Sequence, residues 1–438
     1  MGSFVPTTPS ERQQMLKTIG VGSVEELFRD VPQEMRIDGY LDLPSGKSEM
    51  ETLESVSALA EKNHVFRTCL RGAGSYRHYI PAAVKAIVNR EEFVTAYTPY
   101  QAEISQGILQ AIFEYQTMLC ELTGMDVSNA CVYDGGTAAA ESITMCRDRK
   151  RTKAYVSATT DPQVIEVMKT YCFGSDVELT VVPQKDGRTD PEALRSLLGQ
   201  DAACFYVQQP NFYGLLEEAE LLGEITHTAG AKYVMGVNPI SLAILKTPAE
   251  CGADVAVGEG QPLGLDTAFG GPYLGFMTAS SAMMRKLPGR IVGQTVDTEG
   301  EIGYVLTLAA REQHIRREKA SSNICSNEQL CAFTAAVYLS AMGEKGLRQA
   351  ATLCTSKAHY FAQQLEEKLG WKRVHPGEFF HEFVTECPDT EKALAALAKC
   401  DILGGLPVES GILWCVTEVV TKERLDEAVA ILQEVSCG

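Results

Sequence analysis

From residue 130 onward, short apolar runs alternate with stretches in which apolar residues recur every three or four positions. The runs are "ACVYD", "KAYVS", "VELTVV", "ACFYVQ", "AKYVMGV", "ADVAVG" and "YLGFMT", and the amphipathic stretches lie at 137–149, 161–172, 190–198 and 217–229. A short apolar run suits a strand buried on both faces, whereas the longer period suits a helix with one face on a core. Their alternation predicts an α/β protein whose mostly parallel sheet carries helices on both sides. Sites in such sheets form beyond the carboxyl ends of the strands.

The ends of the chain have a different texture. Within residues 1–65, Ser10, Ser23 and Ser48 stand three positions before Gln13, Glu26 and Glu51. That is the capping-box spacing, and it predicts a helical arm whose segments are separated by Pro32 and Pro44. The stretch "RTCLRGAGSYRHYIPAAVKAIVNR" reads as a Gly-rich turn followed by a helix with Pro81 in its first position. A long helix is expected from about Ser105 to Leu122, with Ile108, Ile112, Tyr115, Leu119 and Leu122 on one face and Gly124 as its stop. After Ser326, long helices at 327–342 and 345–369 precede strand, helix, strand and helix. The expected organisation is an arm (1–65), a large α/β domain (66–325) and a small C-terminal α+β domain (326–438).

Composition narrows the functional classes. The 438 residues exceed one ordinary core, and 45% hydrophobic with 22% charged residues marks a globular chain. The net charge is −18 and the longest basic run is "RDRKR" at 147–151, which argues against a surface that tracks nucleic-acid phosphates. Apolar stretches such as "TAAVYLSAM" fall short of the roughly 20 residues of a membrane span, and "MGSFVPTTPSERQQ" lacks a signal-peptide apolar region, so a soluble cytoplasmic protein is expected. Fourteen cysteines are spread singly without a CxxC pair, as in a reducing compartment, where most act as small buried apolar residues. The seven histidines do not cluster either, and no structural metal is expected.

Candidate chemistry starts at "YDGGTAAAE", residues 133–141, where a strand turns on Gly135 and Gly136 and opens a helix at Thr137. Free backbone N–H groups at such a turn face an anion, and the Thr137 hydroxyl either caps the helix or binds a phosphate oxygen. A plain strand-to-helix connection is an equal reading. What favours a site is the position: this is the first helix of a doubly wound sheet, where pyridoxal-phosphate enzymes of the aminotransferase fold seat the cofactor phosphate. That comparison requires a strand-end Asp for the pyridine nitrogen and, one strand later, a Lys for the Schiff base. Neither is present: "AKYVMGV" runs into Asn238 and Pro239, and "GADVAVGEG" into Gln261 and Pro262. Lys246 and Lys286 read as solvated surface.

A second constellation is "FVTAYTPYQAEISQG" at 93–107 together with "RGAGSYRHYIP". Tyr76, Tyr79, Tyr97 and Tyr100 are interleaved there with Arg71, Arg77, His78, Gln101 and Glu103, in segments too Gly- and Pro-punctuated for one regular element. Long loops rich in Tyr and Arg suit a binding surface. Tyr79 is read as a half-buried packing residue, and Tyr97 and Tyr100, which flank Thr98-Pro99, as functional.

Taken together, "YTPYQAEISQGILQAIFEYQTMLCELTGMDVSNACVYDGGTAAAE", "GADVAVGEGQPLG", "FGGPYLGF" and "IRREKASSNICSNEQ" resemble the glycine decarboxylase, or P protein, family of the glycine cleavage system. The likeness is to the N-terminal-half subunit (subunit 1, alpha) that many bacteria keep as a separate chain. It implies an aminotransferase-like large domain (fold type I). It also implies a homologous partner, subunit 2, that carries the pyridoxal phosphate, with no cofactor covalently bound to this chain. The complex would decarboxylate glycine and pass the aminomethyl group to the lipoyl arm of H protein. On this resemblance Tyr97, Tyr100 and Gln101 approach the partner's cofactor, and Arg71, Tyr76 and His78 line the glycine or lipoyl entrance. Gly135, Gly136, Thr137, Asn238 and Pro262 would then form a pseudo cofactor site. The chain departs from the family at Asn238, where relatives often keep Asp, and at Gly136, where they often carry Ala or Ser. A heterotetramer with two copies of each subunit suits the fold's symmetry. Two other readings stay open: a stand-alone binding or regulatory protein that uses the "DGGT" turn for a phosphate ligand, and, last in rank, a homodimeric enzyme with an unconventional lysine.

Overall fold

The computed structural model describes residues 6–37, 39, 41–324 and 328–437, the last two without their side chains. The chain divides into two compact units, Met1–His64 and Val65–Gly438. In the first, helix α1 (Pro9–Ile19) is capped by Thr8, whose hydroxyl faces the Glu11 N–H while the Glu11 carboxylate takes the Thr8 N–H. Helix α2 (Glu49–Ala60) repeats the box with Ser48 and Glu51. The expected cap Ser10 instead lies inside the first turn of α1. Pro9 occupies an N-terminal helical position and Glu11 stands three residues after Thr8, so both signals favour Thr8. Ser23 is not a cap: it precedes a short 3₁₀ turn (Glu25–Phe28) that Val24 leads into, and it only accepts the Glu26 N–H at 3.4 Å.

The second unit is built on a seven-stranded sheet. Its strands are β1 (Val127–Ser128), β2 (Lys153–Ser157), β3 (Leu179–Val182), β4 (Ala202–Gln209), β5 (Lys232–Val237), β6 (Val255–Glu259) and β7 (Gly275–Ala279). Their spatial order is β1-β7-β6-β5-β4-β2-β3. The pairs from β3 through β6 are parallel, and β7 is antiparallel to both β6 and β1. This is the expected mostly parallel sheet. Strand alternation sorts its side chains onto two faces. Phe205, Val207, Tyr233 and Met235 join a core with helices α3 (Gln106–Thr123) and α7 (Ala219–Thr228), and with the start of α8 (Gln329–Leu369). Tyr206, Val234, Val255 and Val257 join the other core, under α4 (Gly135–Cys146) and α5 (Pro162–Ser175). Helix α6 (Pro191–Leu197) places Leu194 in the first core.

Two local expectations change and one break between helices is borne out. "ACVYD" is not a strand: only Val132 makes an isolated antiparallel bridge, to Gly275, while β1 lies a few residues earlier. The break expected between helices at 327–342 and 345–369 is present: Gly343, with φ 60° and ψ 178°, is non-helical and divides the run α8 into two helices. The expected start at 327 and the boundary at 325/326 lie outside the described residues. A hairpin not anticipated from the sequence, β8 (Ile291–Val296) and β9 (Ile302–Thr307), follows the sheet. Beyond it, β10 (Glu382–Thr385), β11 (Leu406–Val408) and β12 (Gly411–Cys415) form a small antiparallel sheet. Its core contains Phe361, Phe383, Trp414 and Leu425, with α9 (Thr390–Lys399) and α10 (Lys422–Cys437) alongside. Among the described residues no helix is long and apolar enough to cross a membrane.

Candidate functional site

A cavity of about 400 Å³ lies beyond the carboxyl ends of the central strands. Its floor is made where β5 and β6 end, at Gly236, Val237 and Gly258, and it is bounded by the first turns of α4 and α5 and by the turn at 73–76. Gly135, Gly136, Asn238 and Pro262 of the expected pseudo-site all line it, as does Tyr76. Thr137 is buried behind them and is not the helix cap. Helix α4 begins two residues earlier, at Gly135, and Asp134 caps it by accepting the Thr137 N–H at 2.6 Å.

The first turn of α4 is the natural seat for an anion, because its N–H groups have no partners within the helix. Here the protein supplies its own. The Glu259 carboxyl, from the end of β6, accepts the Gly135 N–H at 2.9 Å, while its other oxygen accepts the N–H groups of Gln261 and Leu274, each at 2.9 Å. Gly135 is needed for this approach, since a Cβ there would press on the Glu259 Cβ and backbone. Burial pushes the Glu259 carboxyl up to about 7 despite the three N–H donors.

The neighbouring positions are equally committed. Gln261 is buried. Its amide clamps the Tyr76 backbone, accepting from the Tyr76 N–H and donating to the Tyr76 carbonyl, each at 2.9 Å, and it also donates to the Leu265 carbonyl. Asn238 turns its oxygen to the N–H groups of Ile240 and Ser241, and its amide nitrogen lies 3.4 Å from His381 Nε2. The cavity therefore does not fit pyridoxal phosphate. Glu259 and Asp134 already take N–H groups of the first turn of α4, where a phosphate would bind, and among the described residues no lysine or arginine lines the cavity.

The structure separates the other expected site residues into two groups. Tyr76 and His78 are buried: the Tyr76 hydroxyl donates to Glu382 at 2.8 Å beside the His381 ring, and His78 Nδ1 lies 2.7 Å from Glu418. Burial lifts Glu382 to about 7 and holds His381 near 3. Arg71 donates to the carbonyls of Gly404 and Gly405 and lines a separate groove with Leu394 and Ile402. Tyr97 and Gln101 are exposed, and Tyr100 packs its ring under the Arg290 guanidinium at 4.6 Å. Their loop leads into α3, where the Gln106 amide pairs with both backbone groups of Tyr304 in the β8–β9 hairpin. Tyr79, expected to be half-buried, is 63% exposed, and its backbone N–H, rather than its ring, is what the fold uses, bonding Glu418 at 2.7 Å.

Sequence reasoning missed the carboxyl groups that organise this region. Glu259 ends the apolar strand β6 and Asp134 precedes two glycines at a helix start, and both were visible as charges beside those local signals. It also missed the approach of Cys354 to His78 and Glu418, whose ligand atoms lie within 4.8 Å of one another. There Glu418 accepts from His78, from the Cys354 thiol at 3.3 Å and from the Tyr79 N–H, so the group is internally paired.

A doubly wound, mostly parallel sheet with one antiparallel strand, a cavity beyond the strand ends and a small C-terminal sheet define the aminotransferase-like class of fold. The alanine–glyoxylate aminotransferase from Nostoc sp. shares it, with a TM-score of 0.59 at 16% identity, over 84% of this chain and 95% of that one. A closer likeness is a crystal structure of glycine decarboxylase (P-protein) of the glycine cleavage system in inhibitor-bound form, with a TM-score of 0.91 at 41% identity, covering 99% of this chain and 100% of that one. The family model described as glycine cleavage system P-protein matches residues 2–432. The chain belongs to the glycine cleavage system P-protein family. Its relatives include proteins named probable glycine dehydrogenase (decarboxylating) subunit 1. The one from Desulfitobacterium hafniense is 46% identical over 99% of this chain and all of its own length, and the one from Moorella thermoacetica is 48% identical over 98% and 99%.

Proposed function

We infer that this chain is a subunit of glycine decarboxylase and that it works beside a homologous subunit which holds the pyridoxal phosphate. Membership of the family supports the activity. The observation that carries the division of labour is the Glu259 carboxyl on the first turn of α4, with Gln261 and Pro262 where this fold would offer a lysine. A chain that fills its own phosphate seat leaves the covalent chemistry to its partner.

In this reading the chain supplies walls. Tyr97 and Gln101 are exposed at the end of a loop braced by Gln106 and the hairpin, and they reach toward the partner's cofactor together with Tyr100. Arg71, Tyr76 and His78 shape the entrance by fixing the turn at 71–79, since their polar groups are bonded to Gly404, Gly405, Glu382 and Glu418. A closed wall excludes water from a carbanion that must be trapped by the right acceptor. That acceptor is the lipoyl arm of H protein, the substrate is glycine, and the assembly works in the cytoplasm. The alternative, a stand-alone protein for a phosphate ligand, is disfavoured because that ligand would have to displace Glu259.

The test is glycine–bicarbonate exchange with lipoylated H protein, measured for each subunit alone and for the co-expressed pair. Exchange is expected only from the pair. Equal exchange by the partner alone would remove this chain from the enzyme.

A further inference from the structure

The cavity that cannot take a phosphate still carries polar groups without partners. Tyr206, on β4, is only 4% exposed, lines the cavity, and its hydroxyl has no hydrogen-bond partner among the described residues. It lies over the bare backbone of Gly236, where a Cβ would overlap the phenol. A buried phenol normally finds a partner, so one that does not is suited to a ligand. Across from it, Asp161 is 6% exposed and uses Oδ1 to cap α5 through the Gln163 N–H at 2.8 Å, while Oδ2 is turned toward Gly74 on the opposite wall. Burial raises the Asp161 carboxyl above its ordinary range, as befits a charge lacking a counter-ion. The Asp161 N–H is held by Gln208, which fixes the carboxyl in place.

We propose that this cavity is a binding site for a small protonated amine that bears no phosphate or carboxylate, with Asp161 as its counter-charge and the Tyr206 hydroxyl as an acceptor. Three carboxyl groups, Asp134, Asp161 and Glu259, line it and no cationic side chain does among the described residues, so an anion meets repulsion and a cation does not. A hard divalent ion is a poorer match. It wants about six oxygen ligands, and Glu259 and the capping oxygens of Asp134 and Asp161 are already bonded to backbone N–H groups. Tyr76 and Tyr273 add aromatic walls that favour an organic cation. The volume of about 400 Å³ admits a molecule of one ring or a short chain. The proposal concerns this chain by itself and stands or falls separately from the partner reading.

The experiment is calorimetric titration of the purified full chain at neutral pH with three probes of similar size: benzylamine, benzyl alcohol and phenyl phosphate. Benzylamine is expected to bind roughly tenfold more tightly than benzyl alcohol, with no binding of phenyl phosphate. Asp161→Asn keeps an oxygen for the helix cap and should bring benzylamine down to the level of the alcohol. Tyr206→Phe should weaken benzylamine by roughly threefold or more while retaining the fold. The proposal is overturned if phenyl phosphate binds as well as benzylamine, if none of the three binds, or if benzylamine ignores both substitutions.

Discussion

Replacing Glu259 by alanine tests whether its carboxyl stands in for a phosphate. The substitution strips acceptors from three backbone N–H groups, those of Gly135, Gln261 and Leu274. At about 1 kcal/mol net for each bond the loss is about 3 kcal/mol, reduced somewhat because a buried carboxyl is no longer carried. The vacated turn then offers its N–H groups to an outside anion. Phosphate at about fifty times its dissociation constant would restore about 2.3 kcal/mol, by mass action on the folded state. The assay is urea unfolding at neutral pH in phosphate against chloride of equal ionic strength. Glu259→Ala should recover most of its lost stability in phosphate, while the unsubstituted chain should gain only the smaller, general effect of an excluded salt. Equal stabilisation of both chains by phosphate, or of neither, would refute the claim that Glu259 occupies an anion seat.

Further predictions concern the buried charges, the close approaches and the exposed loop. Burial places Glu141, Glu259 and Glu382 at about 7 against an ordinary 4.5, so the folded chain holds these protons longer, and the stability they confer is lost as pH rises through 7. His381, held near 3 against 6.5, works the other way, losing stability as pH falls below 6.5. Between about pH 8 and about pH 6 the three carboxyls together add about 4 kcal/mol and His381 removes about 1, so unfolding midpoints should show a chain more stable at the lower pH by about 3 kcal/mol; a less stable chain would contradict the burial argument. Gly214 has a φ of +82° and a Cβ there would overlap the Glu382 carbonyl, so Gly214→Ala should cost about 3 kcal/mol or more by chemical denaturation, and a neutral result would contradict the packing of β10. Glu418→Ala leaves His78 and the Cys354 thiol without their acceptor and should cost about 3 kcal/mol, whereas a loss under about 1 would show that the pair is not a structural tie. Tyr97→Phe should preserve assembly with the partner and lower glycine–bicarbonate exchange; unchanged exchange would take Tyr97 out of the site.

The sheet was legible because its strands are buried on both faces and so appear as unbroken apolar runs between amphipathic helices. "ACVYD" looks the same in sequence but lies alongside β7 with only Val132 bridged, since its backbone is already turning toward the first turn of α4. The cap of α1 went to Ser10 on spacing to Gln13, although Pro9 and Glu11 both point to Thr8. Around the cavity, the glycines, Asn238 and Pro262 were found because turn residues announce themselves locally. The side chains that decide what the cavity accepts were not, because their partners are remote: Glu259 meets Gly135 across 124 positions, Gln261 meets Tyr76 across 185 and His78 meets Glu418 across 340. Tyr79 was misjudged for a related reason, its backbone rather than its ring being what the fold uses.

The most direct test of the division of labour is borohydride reduction of the assembled complex in the presence of pyridoxal phosphate, followed by peptide mapping of both subunits. The account predicts cofactor fixed to a lysine of the partner and none on this chain. A stoichiometric phosphopyridoxyl adduct on any lysine of this chain would contradict it.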